Sequence, residues 1–148
     1  MLNIVVKSFT DLSTDELYHL LQLRSEVFVV EQDCVYQDID GKDQKALHVL
    51  GYKEDQTFVA YTRLFKPGDY FKNASIGRVV VAQRERQYGY GYDIMKASIA
   101  TIKTHYNLDK IEISAQTYLK TFYNNLGFVE DGDTYLEDGI PHVRMIKH

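Results

Sequence analysis

The apolar positions of this chain switch repeatedly between the two-residue period of strands and the 3.6-residue period of helices. The run from Leu2 to Phe9 reads as a first strand. Ser13-x-x-Glu16 has the form of a capping box, in which each side chain takes the other residue's backbone N–H at a helix start. Behind it, Leu17, Leu20, Leu21, Arg24, Val27 and Phe28 fall at roughly helical spacing, with Glu31 at the helix end. A polar loop is expected from Gln32 to Lys45. Ala46–Tyr52 and Thr57–Phe65 read as a strand pair, and Lys66-Pro67-Gly68-Asp69 as a turn. An apolar strand ending in Ile76–Ala82 leads toward a helix over Tyr90–His105. Ile111–Ala115 alternates as a strand, Tyr118–Leu126 reads as a helix, and closing strands are expected near Phe128–Gly132 and His142–Lys147. The order β-α-β-β-β-α-β-α-β-β contains no repeat, linker or low-complexity segment and predicts one α/β domain over residues 1–148.

The strongest chemical signal sits between the apolar strand and the second long helix. There the sequence reads Arg86-Gln87-Tyr88-Gly89-Tyr90-Gly91. A strand, a glycine turn and a helix start aim free backbone N–H groups at an anion, and the helix dipole adds to the attraction. Gly89 and Gly91 permit positive φ and leave room for a phosphate. The dinucleotide fingerprint needs a third glycine where this chain has Ile94, and the P-loop needs a Gly-Lys-Ser/Thr end that is absent. What is present is R-x-x-G-x-G directly after Val79-Val80-Val81.

That arrangement resembles motif A of the GNAT superfamily of acyl-CoA N-acyltransferases. Phe122-Tyr123-Asn124-Asn125-Leu126-Gly127-Phe128 resembles the same family's motif B, Y-x-x-x-G-F. Leu23-Arg24, the stretch from Val27 to Gly41, Gly77-Arg78-Val79-Val80-Val81, Ala115-Gln116 and Glu137-Asp138-Gly139-Ile140-Pro141-His142 resemble the ElaA-like branch. The resemblance implies a GNAT fold, a mixed twisted sheet flanked by helices. It implies acetyl transfer from acetyl-CoA to a primary amine, directly within a ternary complex. The cofactor pyrophosphate would lie at the turn, with Arg84, Arg86, Gln87, Tyr88, Gly89, Tyr90 and Gly91 around it. The pantetheine arm would run along Val79, Val80 and Val81, with Gln116 replacing an asparagine frequent in the family. By position, a backbone N–H near Val80 or Val81 would stabilise the carbonyl oxygen, and Tyr123 would protonate the departing thiolate. Family members often form homodimers. The alternative is a catalytically silent acyl-CoA-binding sensor or interaction module.

Composition narrows the setting. A hydrophobic fraction of 45% with two prolines is enough for a real core. A net charge of −4 argues against general nucleic-acid affinity. The lone cysteine, Cys34, excludes an internal disulfide and points to a reducing, cytoplasmic compartment. No signal peptide is read at the start, and no apolar run is long enough to span a membrane. The five histidines lack metal-ligand spacing, so no metal is expected.

An amine acceptor with an ordinary pKa of about 10.4 must lose a proton before it attacks. Glu31, Asp38, Asp40, His48 and His142 are the candidate bases, Glu31 ranked first and His48 second. Arg24, Glu31, Tyr36, Asp38, Asp40 and His142 are the candidate acceptor-binding residues. Residues 31–43 and 130–138 hold ten of the 21 acidic side chains. Such an acidic rim would steer a cationic amine, whether lysine, polyamine, protein N-terminus or amino sugar.

Overall fold

The computed structural model describes residues 1–148. Its strands are β1 (Asn3–Ser8), β2 (Leu47–Tyr52), β3 (Phe58–Phe65), β4 (Ala74–Val81), β5 (Ile111–Gln116), β6 (Phe128–Glu130), β7 (Tyr135–Glu137) and β8 (Ile140–Lys147). They form one sheet in the order β1-β2-β3-β4-β5-β8-β6, with β7 paired to the start of β8. Every pairing is antiparallel except β4 with β5. The helices are α1 (Thr14–Arg24), α2 (Tyr90–Tyr106) and the short α3 (Lys120–Asn124).

Alternation along β3 sorts the sheet's two faces. Thr62 bonds Ser98 of α2 at 2.6 Å, so Ala60, Thr62 and Leu64 face α2. The Arg24 guanidinium of α1 lies over the Tyr61 ring, so Tyr61, Arg63 and Phe65 face the other way. Leu20 and Leu23 of α1, Ile94, Met95 and Ile102 of α2, and Val49, Val59, Leu64, Ile111 and Met145 of the sheet are buried in one core cluster.

The capping box at Ser13 and Glu16 is formed in full. The first helix does reach Glu31, but its last segment, Ser25–Glu31, is π-helical. Main-chain bonds from Gln32 to Val27 and from Cys34 to Val29 skip five residues. Such wide turns cluster at functional sites, and this one brings Val27, Phe28 and Glu31 to the pocket described below. The loop ahead of α2 is wound into a 3-10 helix over Gln83–Tyr88. The helix expected over Tyr118–Leu126 is a 3-10 turn, Thr117–Leu119, followed by α3.

The last strand starts earlier than expected and folds back on β7. Asp138 and Gly139 between them both have positive φ, 52° and 77°. An Asp-Gly pair so placed is the preferred tight hairpin turn, a signal overlooked at the sequence level because β7 is only three residues long.

Candidate functional site

The site begins where the one parallel pair comes apart. β4 and β5 are paired only at Ala74 with Ile111 and Ser75 with Glu112. Beyond that point Ile76, Gly77, Arg78, Val79 and Val81 line one wall of a cavity, and Ile113, Ser114 and Gln116 line the other. The inner edge of β4 therefore carries main-chain donors and acceptors with no strand opposite them. A bulge helps to shape this wall: three steps of β4, Gly77 to Val80, match two steps of β3, Arg63 to Tyr61. Arg78, in the bulge, has φ 49°. The cavity volume is about 480 Å³, within the range that holds a small molecule or cofactor segment.

One end of the cavity reaches the start of α2. Gly89 is the N-cap residue, with φ 75° and ψ 17° and no side-chain cap. The first intrahelical bond visible there runs from Asp93 N–H to the Gly89 carbonyl, at 3.3 Å. The N–H groups of Tyr90, Gly91 and Tyr92 therefore precede the helical ladder, as at any helix start. A Cβ built on Gly89 would meet nothing within 4 Å, whereas one on Gly91 would lie 3.3 Å from the Phe122 ring. Gly91 thus lets the two sequence motifs touch. Tyr92 continues the contact, ring to ring with Phe122 at 4.7 Å and through its hydroxyl to Asn125 at 3.1 Å.

Tyr123 lines the cavity from α3 and is 6% exposed. Its ring packs T-shaped against those of Phe122 and Phe128, and no side-chain hydrogen bond within the chain engages its hydroxyl. Burial, with the nearby Tyr118 adding, pushes the phenol well above its ordinary pKa. The group therefore holds its proton at neutral pH.

Of the residues singled out in the sequence, Val79, Val81, Arg86, Gly89, Gly91, Gln116, Tyr123, Glu31, Tyr36 and His142 line this one cavity. Glu31 binds Arg86 with both carboxylate oxygens, at 2.5 and 2.7 Å. Gln116 meets Gln32 across the cavity, with their amides 3.3–3.4 Å apart. The side chains of Val80, Arg84, Gln87, Tyr88 and Tyr90 are not among the lining residues. Val80 points into the core, the Tyr88 and Tyr90 rings pack on each other at 5.6 Å, and Arg84 lines a separate depression with His19, Glu26 and Phe58.

Four expectations about the acceptor side need correction. His48 is fully buried and outside the cavity. Its Nε2–H donates to the Asp43 carbonyl at 2.9 Å, and its Nδ1 accepts from the Tyr61 hydroxyl at 2.6 Å. Burial lowers its pKa, so it is a neutral ring with both nitrogens engaged. Arg24, Asp38 and Asp40 belong to an internal network instead of an acceptor rim. Arg24 pairs with Asp38 and Asp43, Arg63 with Asp40 and Asp43, and Arg78 with Asp38 and Asp40. Three arginines and three aspartates cancel in charge and pin the 32–46 loop against the sheet. Burial acts to raise the Asp40 and Asp43 pKa values, but hydrogen bonds and charge from the arginines overcome it and hold both low. Tyr36 stays at the cavity wall, its hydroxyl 3.1 Å from Asp38 and its ring beneath the Arg78 guanidinium.

The structure adds Ser114, Tyr135 and Glu137, which were not singled out individually. Ser114 and Glu137 line the cavity with His142. The Ser114 hydroxyl is 2.5 Å from the Tyr135 hydroxyl and 3.1 Å from Glu137 Oε1. Glu137 Oε2 is 3.4 Å from His142 Nε2. The missed hairpin was the available signal for Tyr135 and Glu137. No cluster of three or more His, Cys, Asp and Glu side chains is arranged to hold a metal ion, and no helix is long and apolar enough to cross a membrane.

Known proteins place this geometry in a family. Residues 9–148 match the model of the acetyltransferase (GNAT) domain. The chain is 42% identical to protein ElaA of Escherichia coli strain K12 over 140 residues, covering 93% of this chain and 91% of ElaA. The crystal structure of Escherichia coli ElaA superposes with a TM-score of 0.91 at 39% identity over the whole of both chains. An acyl-CoA N-acyltransferase from Pseudomonas aeruginosa superposes with a TM-score of 0.90 at 38% identity, covering 99% of each chain. The splayed parallel pair, the glycine turn at the start of α2 and the tyrosine of α3 are thus carried by a chain that belongs to the GNAT acetyltransferase family, in its ElaA-like branch.

Proposed function

We propose that this protein is an acetyl-CoA-dependent N-acetyltransferase that passes an acetyl group directly to a primary amine within a ternary complex. The observation that carries the reading is the opening between β4 and β5. It presents an unpaired strand edge, leads at one end to the start of α2, and is lined by the buried, protonated Tyr123.

The residues present fit coenzyme A. Arg86 and the free N–H groups at the start of α2 suit a diphosphate, and the space at Gly89 leaves that approach clear. The edge of β4 from Ile76 to Val81 suits the amides of a pantetheine arm, as an added strand would pair. Acetyl-CoA supplies the activated thioester. The chain's part is to hold the reactants, offer a β4 N–H to the carbonyl oxygen as negative charge develops, and donate the Tyr123 proton to the departing sulfur. A thiol with a pKa of about 8.5 leaves fairly readily unaided, so positioning carries much of the work. The single free thiol of Cys34 is consistent with work in a reducing, cytoplasmic setting.

Calorimetry with acetyl-CoA on the wild type and on Gly89→Trp tests the reading, together with free-thiol release against lysine peptides, polyamines and amino sugars. Binding that is lost in the variant, with amine-dependent thiol release, supports the transferase. Binding with no release for any amine favours a sensor. Absence of binding removes the assignment of the turn and the function built on it.

A further inference from the structure

A candidate receiver for the amine lies on the β5–β8 side of the cavity, and it rests on the transferase reading above. His142 Nδ1 is 2.7 Å from the Ile140 carbonyl oxygen. A carbonyl only accepts, so Nδ1 carries a hydrogen, and the neutral ring has its lone pair on Nε2. Nε2 faces Glu137 Oε2 at 3.4 Å. Two acceptors that converge in this way are stabilised by a positively charged N–H donor between them or by a proton on the ring.

The surroundings hold both groups in place. Ser114 Oγ donates to Glu137 Oε1; a hydroxyl has one hydrogen, so the Tyr135 hydroxyl must donate to Ser114. This relay occupies Oε1 and leaves Oε2 turned toward His142. The Tyr135 ring stacks on the imidazole, with centroids 6.2 Å apart and planes at 21°. The Glu137 side chain is 44% exposed, so an acceptor can reach it from solvent, while His142 is almost fully enclosed. The rival carboxylate, Glu31, has both oxygens on Arg86.

We propose that Glu137 Oε2 and His142 Nε2 together receive the ammonium group of the acceptor, and that His142 takes its proton. The amine arrives as R–NH₃⁺ with N–H donors toward both atoms. One proton passes to Nε2, leaving a neutral amine. Its nitrogen forms the N–C bond with the acetyl carbon while the C–S bond breaks. The thiolate takes the Tyr123 proton, and the second proton lost from the nitrogen as the amide forms restores the tyrosine. The proton on His142 is released to solvent. The substrate class is an unhindered primary amine that is cationic in water, entering from the side where Glu137 is exposed.

Two substitutions separate chemistry from folding. His142→Asn can keep the hydrogen bond to the Ile140 carbonyl through its amide but has no Nε2. Glu137→Gln can keep an oxygen for Ser114 but loses the charge. Acetyl-CoA affinity is measured by calorimetry for each. n-Butylamine, which reproduces the reactive end of a lysine side chain, is titrated into the CoA-saturated protein while the His142 imidazole signals are followed by NMR. Thiol release with the same amine at saturating acetyl-CoA is measured in parallel. The expected result is a saturable shift of the His142 signals in the wild type that Glu137→Gln abolishes. Loss of roughly 100-fold or more in kcat/KM for the amine is expected in both variants, a typical general-base contribution, with unchanged acetyl-CoA affinity. Normal acetyl-CoA binding without a saturable shift, or either variant matching wild-type turnover, overturns the receiving pair and leaves the transferase reading standing. Failure of the wild type to bind acetyl-CoA takes both down.

Discussion

Glu31 and Arg86, 55 residues apart, hold each other through two parallel charged hydrogen bonds at the wall of the cavity. The contact ties the π-helical end of the first helix to the turn before α2. It also commits the carboxylate that looked, from sequence, like the best general base. Arg86→Ala is expected to weaken acetyl-CoA binding about tenfold or more, the effect of losing a charged hydrogen bond. Glu31→Gln is expected to act on acetyl-CoA affinity and not on the amine step. Calorimetry and steady-state kinetics with varied amine check both. A large loss of kcat in Glu31→Gln at full acetyl-CoA occupancy would return Glu31 to the role of base.

Tyr123→Phe removes the hydroxyl but keeps the ring contacts to Phe122 and Phe128. The expected loss is in kcat, roughly 10- to 100-fold, at the low end of acid–base contributions because a thiol leaves well. The phenol pKa is raised by burial, so the acid form persists above neutrality. Wild-type kcat should therefore show no decline from this group across the neutral range. Pre-steady-state thiol release from pH 6 to 9 measures it; an unchanged rate in the variant would remove Tyr123 from the chemistry.

The two glycines of the turn make separable demands. Gly89→Ala places a Cβ on a residue at φ 75°, which costs about 1–2 kcal/mol in the left-handed region. The expected outcome is a lower melting temperature together with weaker acetyl-CoA binding, as the N–H groups at the start of α2 shift. Gly91→Ala instead presses on Phe122 at 3.3 Å. It is expected to disturb α3, and hence Tyr123, more than cofactor affinity. Binding and kcat measured side by side distinguish the two.

The buried charge network predicts how stability follows pH. Asp43→Asn leaves Arg24 and Arg63 each short of a charged partner and is expected to cost about 3–5 kcal/mol by urea unfolding. In the wild type the Asp40 and Asp43 pKa values are lower folded than unfolded. Their contribution is therefore fully present above the unfolded value of about 3.9 and is lost as pH falls through the lower folded values. His48 adds a step in the same direction, because its folded pKa is also lowered. The unfolded chain binds that proton first, so stability should begin to fall below about pH 6.5. Urea midpoints from pH 8 to 3 test this, and a His48→Asn variant should be less stable overall but lack the step near neutrality.

The candidate site was partly legible because its local pieces have local causes. The glycine turn, the apolar β4 and the tyrosine three residues before Leu126 announce themselves by spacing, and they line one cavity. The 31–43 half of the acidic rim failed as a reading because charge counted along a loop ignores who meets it. Asp38 meets Arg24 and Arg78, 14 and 40 residues away, and the charge of Asp38, Asp40 and Asp43 is cancelled inside the fold.

The chain's own order of residues determined the strand and helix periods, the capping box at Ser13 and Glu16, the turn at Gly89 and the family to which these belong, since each depends on neighbours within a few positions. Only the tertiary structure decided which ionisable groups remain available. It buried His48 between Tyr61 and Asp43, bound Glu31 to Arg86, and brought Ser114 of β5 beside Glu137 of β7 and His142 of β8. Those pairings are set by strand register and helix packing, which bring distant residues within hydrogen-bond reach and have no periodic trace in the sequence.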